Sequence, residues 1–190
     1  ERELLHIKNG FYAALDADSE GIEGKFYVWD FDEVEELLGD EAKIFCDYYN
    51  ISRKGNWEGK NILRVLKSLA EVAEKHQVEV VSLEKILQRG RERLLHAREK
   101  RIRPALDDKI ILGWNALMNT AYSKAYAATG NEKYKKLAIQ NMQFLLKAFS
   151  NKEAGLSHVW KNDVAKYPAF LDDYAYLIQA LLQLHKITAD

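Results

Sequence analysis

The stretch that decides the fold class is Trp114-Asn115-Ala116-Leu117-Met118-Asn119-Thr120-Ala121-Tyr122-Ser123-Lys124-Ala125-Tyr126-Ala127-Ala128-Thr129-Gly130-Asn131. Trp114, Leu117, Met118, Ala121, Tyr122 and Ala125 recur at three- and four-residue spacing, which stacks them on one helical face. Gly130 stands where a helix ends in a left-handed residue, and Asn131 where the next helix needs an N-cap. A helix, a two-residue link and a second helix are therefore legible in one run.

The pattern continues outward in both directions. Residues 132–149 repeat it with Tyr134, Ala138, Met142, Leu145 and Phe149. Pro168 is expected to open a further helix reaching about Thr188, and Ser82 to about Lys100 forms another amphipathic run. Ser68 and Glu71 have capping-box spacing ahead of a short helix. Asp30 is placed to cap 31–38, and 41–49 reads as its partner. Only Pro104 and Pro168 interrupt the chain, so long helices are permitted. Residues 25–29 and 156–160, aromatic or β-branched and flanked by glycine, read as small β-hairpin insertions. Sliding 116–131 forward by 59 residues sets Ala116 on Ala175, Met118 on Leu177, Ala121 on Ala180, Thr129 on Thr188 and Asn131 on Asp190. That echo points to a repeat of helical hairpins. The expected fold class is all-α: antiparallel helical hairpins with small β insertions.

Bulk properties narrow the function. Hydrophobic residues make up 47% and charged residues 30%, an ordinary globular balance, and the formal net charge is −1. No global field draws the chain to nucleic acid or an anionic membrane, and no apolar run approaches the roughly 20 residues of a membrane helix. The lone cysteine, Cys46, cannot form an internal disulfide and fits a cytoplasmic setting.

Three carboxylate clusters carry the candidate chemistry. Asp16-Ala17-Asp18-Ser19-Glu20-Gly21 begins like a calcium loop, but its twelfth position is Tyr27 where a bidentate Glu is required. It reads either as a turn in which Asp hydrogen-bonds its own backbone or as a ligand-binding loop, so no metal or other cofactor is expected. Asp107-Asp108 and Asp172-Asp173 lie at or before helix starts, where one acid serves the positive helix end and a neighbouring one is free for other work. Asp16, Asp108 and Asp173 are the candidate catalytic acids. Asp18, Trp114, Asn115, His158, Asp172 and Tyr174 are candidate ligand-binding residues, a mixture of carboxylate and aromatic groups that suits a polyhydroxyl compound. Arg89, Arg91, Arg93, Arg98, Lys100, Arg101 and Arg103 form a basic run, read as the solvated face of a helix because few aromatics interleave.

These residues carry a resemblance. Gly10-Phe11-Tyr12-Ala13-Ala14-Leu15-Asp16-Ala17-Asp18-Ser19-Glu20-Gly21 with Glu23-Gly24-Lys25-Phe26-Tyr27-Val28-Trp29 resembles the thioredoxin-domain-containing family that includes spermatogenesis-associated protein 20. Arg101-Ile102-Arg103-Pro104, Asp107-Asp108-Lys109-Ile110 and Trp114-Asn115 resemble a second block of that family, and Phe170-Leu171-Asp172-Asp173-Tyr174-Ala175 a third. The chain departs from the family pattern at Gly113 and Ala116. The resemblance implies a thioredoxin-like domain in the parent protein, not contained in these residues. It also implies that 1–190 is part of one six-hairpin α/α toroid, similar to N-acylglucosamine 2-epimerases and six-hairpin glycosidases. No reaction comes with it, so a sugar epimerase, isomerase or glycoside hydrolase rests on fold analogy. The runner-up is a non-catalytic binding or scaffold domain serving the thioredoxin-like domain. With no initiator Met, and an echo that stops before its partner helix, the chain is expected to be cut at both ends and to self-associate through an uncovered apolar face.

Overall fold

Gly130 does end the decisive helix, in a left-handed conformation (φ 67°), and the Asn131 side chain accepts from the Lys133 N–H at 3.0 Å. The computed structural model describes residues 2–151 and 155–189. They fall into two compact units, Glu1–Leu15 with Leu106–Asp190, and Asp16–Ala105.

The first unit combines a sheet with three helices. Strand β1 (Tyr12–Leu15) pairs antiparallel with β4 (Leu106–Ile111), which pairs with β6 (Gly155–Lys161); β6 also pairs with β5 (Ser150–Asn151) and β7 (Val164–Pro168). Helices α5 (Leu112–Thr129), α6 (Glu132–Phe149) and α7 (Leu171–Thr188) complete it, with α5 packed along both others. Gly113, Ala116, Thr120 and Ser123 are buried along α5, and their small side chains allow close approach. Ile110, Leu112, Leu145, Phe149, Trp160, Leu177 and Ala180 form the core that sheet and helices share. Asn115, Asn119 and Asn141 run through it as a polar tie. Asn115 exchanges hydrogen bonds with the Phe11 backbone, Asn119 donates to Ala138 O and Asn141 Oδ1, and Asn141 donates to Asn9 O. The three amide nitrogens all find acceptors, and residues 9–11 are locked to two helices, while Asn119 Oδ1 stays buried without a partner among the described residues.

The second unit holds the hairpin β2 (Asp18–Ser19) and β3 (Ile22–Glu23), then α1 (Phe31–Leu38), α2 (Ala42–Tyr48), α3 (Leu69–Lys75) and α4 (Val80–Glu99). Val34, Phe45, Val72, Leu83 and Leu87 fill its core. Ser68 and Glu71 make the expected capping box. Asp30 stands at the start of α1 without capping it, because Lys60 holds both its oxygens at 2.8 Å. The basic run is spent on packing. Arg101 grips Glu33 at 2.8 and 2.9 Å, donates to Phe26 O and Val28 O, and lies 4.0 Å over the Trp29 ring.

The all-α expectation, and with it the partial-toroid assignment, is overturned: the protein is mixed α/β, with a five-stranded antiparallel sheet and a two-stranded one. Charge concealed β4, whose Asp107-Asp108-Lys109 run reads as a helix-start cluster, and β1 meets it only across more than ninety residues. Residues 156–160 do lie in a strand, but a central one. Residues 25–29 form turns with a single bridge from Trp29 to Asn61. Pro168 ends β7, and α7 begins three residues later. The 59-residue echo matches the bounds of α5 and α7, both 18 residues long, but not their buried faces: Met118 is exposed and Leu177 buried. Asp190, its last position, lies outside the described residues.

Candidate functional site

The chemistry of the first unit gathers where α5 and α7 begin. Gly113, in the first turn of α5, donates its N–H to Asp173 Oδ1 at 2.8 Å. Asp173 stands three residues past Phe170, the N-cap of α7, and its Oδ2 accepts the Phe170 N–H at 2.9 Å, half of a capping box. Two helix starts thus converge on one carboxylate that is 1% exposed. Both positive helix ends favour its anion, and the two N–H groups replace the water it gave up. A Cβ at position 113 would stand 2.9 Å from Asp173 Oδ1, so a larger residue there has to displace the buried carboxylate.

The third partner of Asp173 is His158, whose Nδ1 lies 2.7 Å from Oδ2. An ionised carboxylate only accepts, so in the neutral ring the proton sits on Nδ1 and the lone pair on Nε2. Strand β6 delivers this imidazole, and the Phe170 ring tilts against it with centroids 4.7 Å apart. The His158 side chain is 23% exposed, and no hydrogen bond among the described residues is recorded at Nε2. A basic nitrogen reachable from solvent, fixed in direction by a buried carboxylate, is an arrangement that takes up and returns protons.

Of the sequence candidates, Asp173 and His158 meet directly. Trp114 and Tyr174 adjoin the Gly113–Asp173 contact in the chain, both exposed, and Asp172 is exposed beside them. The Tyr174 hydroxyl accepts the Leu156 N–H at 3.1 Å, which ties α7 to β6. Asn115 is buried, and its hydrogen bonds go to the Phe11 backbone and Ile111 O. Asp108 lies on β4 with Lys161 at 2.5 Å, and that carboxylate holds the Lys161 ammonium above its ordinary pKa. For Asp107, desolvation pushes upward, but its bonds to Lys109 win and the carboxyl sits below the usual range. Asp16 and Asp18 belong to the second unit. There Asp16 Oδ1 accepts the Asp18 N–H at 3.1 Å ahead of the β2–β3 turn. Sequence reasoning missed Phe170 and the Gly113 N–H. The three-residue spacing from Phe170 to Asp173 was the available signal, masked because an N-cap is usually sought as Ser, Thr, Asp or Asn.

No family model matches the chain. An uncharacterized protein of Caenorhabditis elegans, B0495.5, is 34% identical over 97% of this chain and 30% of its own length. Spermatogenesis-associated protein 20 of Mus musculus is 30% identical, and that of Homo sapiens 27%, each over 100% of this chain and 28% of its own length. The chain therefore spans under a third of the relatives it matches. Along the whole of that span it is similar to spermatogenesis-associated protein 20.

Proposed function

We propose that the joined starts of α5 and α7 form a site for a sugar-like polyhydroxyl ligand, with His158 as its acid–base group. The observation that carries this reading is the buried Asp173 holding His158 Nδ1 at 2.7 Å, with no partner for Nε2 among the described residues. Exposed Phe170, Trp114 and Tyr174 supply apolar faces for pyranose carbons, and Asp172 an acceptor for hydroxyls. Proton transfer next to a carbonyl, as in sugar epimerisation or isomerisation, fits a lone oriented imidazole better than glycoside hydrolysis does. Hydrolysis needs two available carboxyl groups, whereas both Asp173 oxygens are engaged and Asp108 is held by Lys161.

The test is solvent-deuterium incorporation into a panel of aldoses, ketoses and N-acylhexosamines, followed by NMR. The expected result is exchange at a carbon next to the carbonyl of at least one member, abolished in His158→Gln. If His158 ring resonances move with no sugar and no deuterium enters, the reading fails. The second reading, a non-catalytic scaffold for a thioredoxin-like domain of the parent protein, draws support from the Asn115–Asn119–Asn141 tie, which spends its amides on rigidity. It is favoured by that negative outcome.

A further inference from the structure

The outer face of the sheet carries a second cluster, independent of the His158 reading. Hairpin β6–β7 is regular: Val159 faces Lys166, Lys161 faces Val164, and Ser157 faces Pro168. Cross-strand partners project to the same side, so Val159, Lys161, Val164 and Lys166 share one face. The same register sets Tyr167 opposite His158, whose side is packed against α7. Tyr167 does not follow the alternation. Its φ is +62°, a left-handed conformation that bulky residues rarely take and that a following proline further disfavours. Tyr167 lines a 310 Å³ cavity with Val159, Lys161, Asn162, Val164, Lys166 and Lys109 of β4, and the residue is 68% exposed.

We propose that this cavity binds a small phosphorylated ligand with a planar ring, of mononucleotide type. Its phosphoryl group would lie among Lys109, Lys161 and Lys166, with its ring on Tyr167. Two of those ammonium groups are held by carboxylates, Lys109 by Asp107 at 3.1 Å and Lys161 by Asp108 at 2.5 Å. Lys166 makes no ion pair recorded among the described residues. Three cations against two anions leave an excess positive charge beside an exposed aromatic face. A phosphoryl group answers the first and a stacked base the second. The inverted backbone at Tyr167 does two jobs at once. It clears the space beside His158 that Phe170 fills, and it delivers a ring to the lysine face. Unfavourable backbone geometry at an exposed aromatic residue is where a binding role is expected.

The experiment titrates the chain with AMP, ribose 5-phosphate and pyrophosphate by calorimetry at low ionic strength. AMP is expected to bind about tenfold more tightly than ribose 5-phosphate, the difference a stacked base supplies. Lys166→Gln is expected to weaken all three probes. Tyr167→Gly is the decisive variant, because glycine takes φ +62° freely. The fold should be kept with an undiminished melting temperature, pyrophosphate binding retained, and the AMP preference lost. The proposal is overturned if no probe binds, if Tyr167→Gly keeps the AMP preference, or if that variant is less stable than the wild type, which would make the ring a structural element.

Discussion

Replacing Asp173 tests the site and the fold together. Asp173→Ala leaves the Gly113 and Phe170 N–H groups facing a vacated, buried space, and the His158 ring loses its anchor. An orphaned buried donor costs about 1–3 kcal/mol. With two backbone donors stranded and one ring freed to reach water, the loss should be about 3–5 kcal/mol. That is a large part of the ~5–15 kcal/mol holding a typical domain. At roughly 2–4 °C per kcal/mol for a chain of this size, the melting temperature should drop by about 10 °C or more. Asp173→Asn separates stability from chemistry. The amide oxygen keeps one N–H, while the amide nitrogen faces Nδ1 and turns the imidazole into the tautomer protonated at Nε2. The stability loss should fall to about 1–3 kcal/mol, with one backbone donor still unmet. Denaturant unfolding measures the first effect, and nitrogen-15 shifts of the His158 ring measure the second. An alanine variant within 1 kcal/mol of wild type, or a wild-type His158 already protonated at Nε2 when neutral, would refute the reasoning.

Asp47 sets an acid limit for the second unit. Its burial alone would raise the pKa, but hydrogen bonds from Lys67, Lys75 and His76 outweigh that and hold the carboxyl well below the ordinary Asp value. A folded pKa below the unfolded one means the stabilisation is complete above about pH 5 and is lost as pH falls below about 4. Asp47→Asn should therefore cost about 1–2 kcal/mol at neutral pH and flatten the acid limb of urea unfolding curves. Gly90→Ala offers a contest of magnitudes. Helix propensity gains up to ~1 kcal/mol, but the new methyl would stand 2.4 Å from the Phe45 ring, so overpacking of about 1–3 kcal/mol should win and lower the melting temperature. Leu171, Ile178 and Leu182 form an exposed stripe along α7. Light scattering should find concentration-dependent association that Leu182→Glu weakens, and a monodisperse wild type at high concentration would contradict this.

What the sequence disclosed follows the range of each interaction. The end of α5 and the whole of α6 are readable because Gly130 and Asn131 are local signals, whereas α5 starts two residues before 114 and buries Gly113, Ala116, Thr120 and Ser123, leaving the expected apolar face of Trp114, Leu117 and Met118 exposed. The capping box of α3 is local too. The sheet is not. Strand β4 is half charged, with only Ile110 fully buried, and its partners β1 and β6 come from either end of the unit. A strand whose outer side is Asp and Lys and whose inner side holds one isoleucine has too little alternation to declare itself, and its pairing is invisible until the chain is folded. Hence helices are legible where caps mark them, while Pro168 ends a strand instead of opening a helix and the all-α fold class does not hold.

The site shows the same limit at the scale of single atoms. Residue types picked out Asp173 and His158 separately, the first as a catalytic acid and the second as a ligand contact. The proposed site gives them different roles. A carboxylate that is 1% exposed and accepts from Gly113, Phe170 and His158 is out of a substrate's reach, so in the proposed site it acts through the imidazole it orients. That exchange depends on the Asp173 side chain reaching back three residues to the Phe170 N–H and on β6 bringing His158, not Ser157 or Val159, to Asp173. A shift of the β6 register by one residue would turn the imidazole to the lysine face and leave Asp173 capping a helix with nothing to orient. The backbone inversion at Tyr167, directly across the hairpin, falls at the one place where an ordinary strand would have put a ring beside the imidazole. Relieving it with Tyr167→Gly should leave the His158–Asp173 hydrogen bond intact, because Phe170 already occupies that side. A changed His158 tautomer in that variant would mean that the hairpin geometry, rather than Asp173, sets the imidazole.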